Sequence, residues 1–246
     1  MVDEEVFTVI EEAYNEIDFL GEFKQGNLEV YDFYKEQFLK LLKCEATFFN
    51  DQSQTETYIN EFIEADSYNV KNYRYSFFDM DEDGAPELSM ISSLGYVYIF
   101  KYYPESSKFT LWYEIHTSWA GLLGSRSLWY YIDAAPMEYK YYRLDQNGDE
   151  EYVVRFCFSG YYNSDKRQED VLYMVALPQF TDENKNTVFS ENIKKQAFID
   201  NQGICYFRVT EEQWGRLTKR FFEAKEIAED KINEVVFTYD ELFGKF

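Results

Sequence analysis

The stretch Phe77-Phe78-Asp79-Met80-Asp81-Glu82-Asp83-Gly84-Ala85-Pro86-Glu87-Leu88 decides the fold. It sets carboxylates at loop positions 1, 3 and 5, a glycine at 6 and another carboxylate at 9. That is the spacing with which a short loop wraps oxygen ligands around a hard cation such as Ca²⁺. In an EF-hand, helices would flank it and a bidentate Glu would stand at position 12, but position 12 here is Met90. Pro86 removes an N–H donor and restricts Ala85, which opposes a helix leaving the loop. Arg74 to Asp79 before the loop and Glu87 to Ser92 after it read as strands. The stretch is a loop between strands, and the middle of the chain is sheet.

Working outward, Gly95 to Tyr103, Lys108 to Ile115, Ser127 to Ile132, Glu138 to Leu144, Glu151 to Phe158 and Val171 to Leu177 also read as strands, separated by Asp-Gly, Pro-Glu-Ser-Ser and Asn-Gly turn clusters. Short connections between successive antiparallel strands make a meander the economical topology. Ser159 to Asp170 reads as a polar loop.

The two ends follow a helical period. Val6, Ile10, Ala13, Tyr14 and Ile17 form a stripe within 4–20, and Val30, Tyr34, Phe38, Leu41 and Leu42 form one within 29–43. With Gly21 and Gly26 between them, these two helices suggest an αα-hairpin. Thr55 to Glu64 is ambiguous and includes a short helical reading. Near the other end, Ile204 to Val209 reads as a strand. Thr210 and Gln213 then form a capping box that opens a helix over 211–229, and Val235 to Tyr239 reads as a last strand. The expected class is α+β: an N-terminal helical hairpin and a C-terminal helix packed around a large antiparallel β-meander sheet. Residues 1–70 form the helical segment and 71–246 the sheet with its helix, as one compact domain.

Within the loop, alternation brings Asp79, Asp81 and Asp83 to one side. The Ala85 carbonyl stands at position 7, and Glu87 at 9 ligates directly or through water. Gly84 permits the backbone angle the turn needs. Asp and Gly also favour plain solvated hairpin turns, but three carboxylates in five residues repel one another and gain from a cation. Ca²⁺ is the expected ion, held weakly at roughly 10⁻⁴ to 10⁻³ M without a twelfth-position ligand. A second acidic run, Leu144-Asp145-Gln146-Asn147-Gly148-Asp149-Glu150-Glu151-Tyr152, places its glycine two residues too early and reads as a hairpin turn with no ion.

The chain of 246 residues carries a formal net charge of −22, which disfavours nucleic acid and anionic membrane as partners. Hydrophobic residues make up 46% and aromatics 20%, which argues against disorder. No hydrophobic run is long enough to span a bilayer. Cys44, Cys157 and Cys205 match no zinc or redox spacing, and a Cys157–Cys205 disulfide stays open. Ahead of the first helix no signal peptide is visible.

Phe78 to Leu88 resembles the Asp-x-Asp-x-Asp-Gly-x-Pro-Glu-Leu loop of an uncharacterised family of secreted proteins and lipoproteins of gut Firmicutes. Arg208-Val209-Thr210-Glu211-Glu212-Gln213, Phe221-Phe222-Glu223-Ala224 and Tyr239-Asp240-Glu241-Leu242-Phe243 are similar to the ending of some of its members. The loop also resembles the β-flanked calcium loops of integrin-type repeats, but it occurs once, so no propeller is implied. The resemblance implies an extracytoplasmic, secreted or lipid-anchored setting and carries no reaction with it. This chain shows neither the leader nor the lipidated cysteine.

No catalytic motif stands out. The one histidine, His116, lies among aromatics and reads as a packing residue, and no nucleophile elbow, zinc-protease helix or phosphate loop occurs. The first expectation is therefore a non-enzymatic binding or surface protein taking a protein or carbohydrate ligand. Trp112, Trp119 and Trp129 are its candidate platform, against the plainer reading that they fill the core. The alternative is an acidic cytoplasmic interaction or immunity-type protein that binds a basic partner.

Overall fold

The computed structural model describes residues 1–17, 19, 28–51, 53–63, 68–134, 136–145, 147–163, 168–178, 190–201 and 203–244. In chain order the elements are α1 (Glu4–Asn15), α2 (Leu28–Leu42), β1 (Phe48–Asn50), β2 (Thr55–Thr57), α3 (Ile59–Phe62), β3 (Arg74–Phe78), β4 (Glu87–Ile91), β5 (Tyr96–Tyr103), β6 (Lys108–His116) and β7 (Ala120–Gly124). There follow β8 (Ser127–Ile132), β9 (Met137–Leu144), β10 (Glu150–Asn163), β11 (Gln168–Pro178), α4 (Glu191–Lys194), β12 (Ala197–Ile199), β13 (Ile204–Val209), α5 (Glu211–Glu234), β14 (Phe237–Thr238) and α6 (Tyr239–Phe243). The class is α+β. The strands divide between two sheets, and the chain divides into two compact units that no boundary at residue 70 separates.

The loop-bearing unit comprises Glu22–Arg126, Leu144–Asp149 and Ala228–Phe246. Its sheet runs β14-β3-β4-β5-β6-β1-β2. The expected meander is present as β3-β4-β5-β6, all antiparallel. β1 joins β6 in parallel, Phe48 opposite Phe109, which local pattern alone could not announce. The side-chain period of two puts Phe77, Leu88, Phe100 and Phe109 on one face, where they meet Phe38, Leu41 and Leu42 of α2 and Phe243 of α6 in a single buried cluster. Phe38 meets Phe77 edge-on at 5.4 Å. Each such ring contributes about 1.5–3 kcal/mol by leaving water.

The same register prepares the opposite face. Leu88 opposes Phe100 and Met90 opposes Tyr98 toward the helices, so Ser89 and Ile99 point the other way. One step further along that ladder lie Glu87 and Lys101.

The second unit comprises Met1–Gly21, Ser127–Arg143 and Glu150–Ile227. Its strands run β12-β13-β11-β10-β9-β8. Tyr14 of α1 and Phe221 of α5 both pack on Phe156 of β10, each at 5.5 Å between centroids. Arg216 of α5 donates to Glu11 of α1 at 2.5 Å. The Thr210 capping box forms as expected: the Gln213 N–H donates to Thr210 Oγ1 at 3.1 Å, and the Thr210 N–H donates to Gln213 Oε1 at 2.9 Å.

Several expectations change. The N-terminal helices do not share a unit, for α1 packs in one and α2 in the other; the glycine turn expected between them falls in 20–27, outside the described residues. The polar reading of 159–170 is corrected, because β10 and β11 extend through it to the Asn163–Gln168 pair, with 164–167 outside the described residues. Long-range pairing overrode the local composition there. Thr55 to Glu64 holds both a strand and a short helix, β2 and α3.

Candidate metal centre

The acidic stretch links β3 to β4, as expected. Two of its residues take positive φ, Glu82 at 63° and Gly84 at 91°, and the loop doubles back so that its backbone serves its own carboxylates. The Gly84 N–H donates to Asp79 Oδ2 at 3.0 Å, the Asp83 N–H to Asp81 Oδ1 at 3.2 Å, and the Met80 N–H to Glu87 Oε2 at 2.6 Å. Ser125 Oγ donates to the Asp79 carbonyl at 2.7 Å and anchors the start of the loop.

Of the five expected ligand residues, Asp79, Asp81 and Glu87 converge, with one carboxylate oxygen from each lying within 4.8 Å of the others. All three are buried, Glu87 to 1% exposure. The Asp83 side chain is 34% exposed and turns one oxygen to the Ala85 N–H at 2.8 Å. Ala85 thus enters through its N–H, where the sequence pattern had assigned its carbonyl. Met90, at the position of the absent twelfth ligand, is buried in the helix-side core. Met80 at position 2 is also buried, so not all intervening side chains point to water.

The residue that sequence reasoning missed is Lys101 of β5. Its Nζ donates to Asp81 Oδ2, donates to Asp83 Oδ2 at 2.7 Å and lies 3.9 Å from Glu87 Oε1. The lysine side chain is 6% exposed. The signal was present in Tyr96-Val97-Tyr98-Ile99-Phe100-Lys101-Tyr102-Tyr103, where one charge interrupts an apolar strand. A buried lysine requires partners.

The electrostatics are unbalanced. Four carboxylates, those of Asp79, Asp81, Asp83 and Glu87, face one ammonium. Desolvation raises the pKa of Asp79, with Asp81 and Asp83 adding to it. It raises Asp81 as well, against the pull of Lys101. It pushes Glu87 well above the usual range, helped by Asp81. Burial works against the charged form of Lys101, yet the bonds to Asp81 and Asp83 outweigh it and raise its pKa. Even so, Asp79 Oδ1 and Glu87 Oε1 are buried without a hydrogen-bond partner among the described residues. Two orphaned anionic oxygens beside a third carboxylate are donors suited to a hard, oxygen-seeking cation.

The second acidic run is a hairpin turn. Asp145 Oδ1 accepts from the N–H groups of Asn147 and Asp149, both at 2.8 Å. Those bonds, the one from Asp149 first, hold its carboxyl below the usual range. Gly148, at φ 88°, presses against the Trp112 carbonyl, where a Cβ would sit 2.7 Å away.

The three tryptophans do not make a platform. Trp112 and Trp129 are buried, at 6% and 8% exposure, and Lys225 Nζ covers the Trp129 ring at 4.4 Å. Trp119 is 52% exposed, and Leu94 and Tyr96 are also exposed, beside the turn where the Thr117 N–H donates to the Gly95 carbonyl at 2.8 Å. His116 meets the Tyr96 ring edge-on at 4.7 Å and accepts at Nδ1 from the Ser118 N–H at 3.2 Å. No protein-family model, curated protein or solved structure matches this chain.

Proposed function

We propose that this is a non-enzymatic, extracytoplasmic binding protein whose β3–β4 loop holds Ca²⁺ as a structural ion. One observation carries the reading: Asp79, Asp81 and Glu87 are buried with their oxygens converged, and Asp79 Oδ1 and Glu87 Oε1 accept no hydrogen bond among the described residues. The ion ties β3 to β4 and relieves the repulsion that accumulates when these carboxylates leave water. Asp83, partly exposed, supplies a fourth carboxylate at the rim. The setting is supported by the resemblance of the loop to secreted proteins. The ligand surface takes in the exposed Trp119 and Tyr96, whose rings offer stacking faces to a carbohydrate or a protein, with the exposed Leu94 as an aliphatic contact.

The test is thermal melting of the full chain in millimolar Ca²⁺ and in EDTA. Binding to the folded state alone contributes about 1–3 kcal/mol between tenfold and hundredfold saturation, read as a rise of roughly 2–4 °C per kcal/mol. Mg²⁺ should give less, because it demands octahedral geometry and sheds water reluctantly. Equal melting temperatures in Ca²⁺ and EDTA would reduce the loop to an acidic turn. The charge of −22 favours a second reading, an acidic cytoplasmic protein that captures a basic partner. In that case binding of the partner would fall steeply with salt and ignore Trp119→Ala.

A further inference from the structure

We propose that Lys101 is the resident counter-ion of the acidic loop, and that a divalent cation enters by displacing its ammonium, which makes Lys101 the residue that sets which cations the loop admits. This rests on the reading of the loop as a cation site. The ammonium sits on the oxygens an ion would need: it donates to Asp81 Oδ2 and Asp83 Oδ2 and lies 3.9 Å from Glu87 Oε1, covering loop positions 3, 5 and 9. An ion ligated at about 2.3–2.6 Å by the same carboxylates would bring its double charge within about 4–5 Å of Nζ, so the two compete for one place.

The site still asks for positive charge. Four carboxylates face one ammonium, Asp79 Oδ1 and Glu87 Oε1 accept no hydrogen bond among the described residues, and Glu87 Oε1 has only the long ion-pair contact with Lys101. A monovalent ion would replace the ammonium charge for charge while losing its own water. A divalent ion adds one positive charge and gives the two orphaned oxygens a ligand. Displacement also has a direction. Asp83 is the one carboxylate of the four at the solvent rim, and Nζ already lies over the Tyr103 ring at 5.5 Å, a face that can hold the ammonium as it leaves the carboxylates.

Calorimetric titration of CaCl₂ into the full chain and into Lys101→Met, at fixed KCl, tests this, together with acetylation of the wild-type lysines by an N-hydroxysuccinimide ester read by mass spectrometry. Removing the competitor should tighten Ca²⁺ binding by about tenfold or more. Lys101 should resist acetylation in EDTA and become several-fold more reactive when Ca²⁺ is bound. Equal affinities, with Lys101 unreactive in both states while Ca²⁺ plainly binds, would overturn the displacement and leave the cation site standing. No binding by either protein would remove both. If Lys101→Met does not fold, acetylation of the wild-type chain decides alone, and an unchanged Lys101 with Ca²⁺ bound overturns the proposal.

Discussion

The backbone N–H of Met80 donates to Glu87 Oε2 at 2.6 Å, so the residue that closes the loop latches it with one oxygen and leaves the other, Oε1, buried with no hydrogen bond among the described residues. These roles separate by substitution. Glu87→Gln keeps an acceptor for Met80 and removes the charge, so stability in EDTA should hold or rise while the response to Ca²⁺ is largely lost. Glu87→Ala also orphans the Met80 N–H and should lower stability by about 1–3 kcal/mol. Urea melts of both variants with and without Ca²⁺ check the pair.

Burial raises the folded-state pKa of Asp79, Asp81 and Glu87 above their unfolded values. Such carboxylates weaken the fold while ionised, and the penalty is relieved as pH falls through the folded value toward the unfolded range near 4. In EDTA this part of the stability should therefore grow from about pH 7.5 to about pH 5. Lys101, raised instead, contributes stability that is present below its unfolded pKa and lost only as alkaline pH passes the folded one, so it adds no slope here. The slope in wild type minus that in Glu87→Gln isolates the effect. No difference between the two would contradict it.

Two glycines with nearly equal φ should respond differently. At Gly84 an added Cβ meets nothing within 4 Å, whereas at Gly148 it meets the Trp112 carbonyl at 2.7 Å. Gly84→Ala should cost about 1 kcal/mol of conformational strain. Gly148→Ala adds a clash with backbone that cannot swing aside and should cost clearly more. Melts in EDTA read the difference directly.

Thr210→Ala removes the side-chain acceptor for the Gln213 N–H at the start of α5 and should destabilise by about 1 kcal/mol, with Thr210→Asp recovering most of it.

Cys157 and Cys205 should remain thiols. Cys157 lies opposite Met174 and Cys205 opposite Leu177, with β11 between their strands. Two strand spacings and three residues along β11 put them on the order of 14 Å apart, beyond disulfide reach. Burial, with Glu138 adding to it, pushes the Cys157 thiol up to about 12. In the native protein it should resist iodoacetamide at mildly alkaline pH, and mass spectrometry after quenching would show it unlabelled.

The periodic parts of this fold were legible. Alternation marked β3 to β6, the 3.6-residue stripe marked α2, and Thr210 with Gln213 marked the start of α5 before any geometry was known. What stayed hidden depends on partners far along the chain. Nothing in Phe48-Phe49-Asn50 announces a parallel pairing with β6. Nothing local separates α1 from α2 into different units either. At the site, the carboxylates could be read from spacing because they share one loop. Lys101 showed there only as a lone charge in an apolar strand, and its reach to Asp81 depends on the register of β4 on β5.

β14 closes the edge of the sheet that β3 begins, and the Arg74 guanidinium donates to the Val236 carbonyl 162 residues away at 3.3 Å. During synthesis at about 5–20 residues per second, β3 waits on the order of 8–30 s for that neighbour to emerge. For that interval its edge is open to strands of other chains, so pairing between incomplete chains competes with folding until β14 is made.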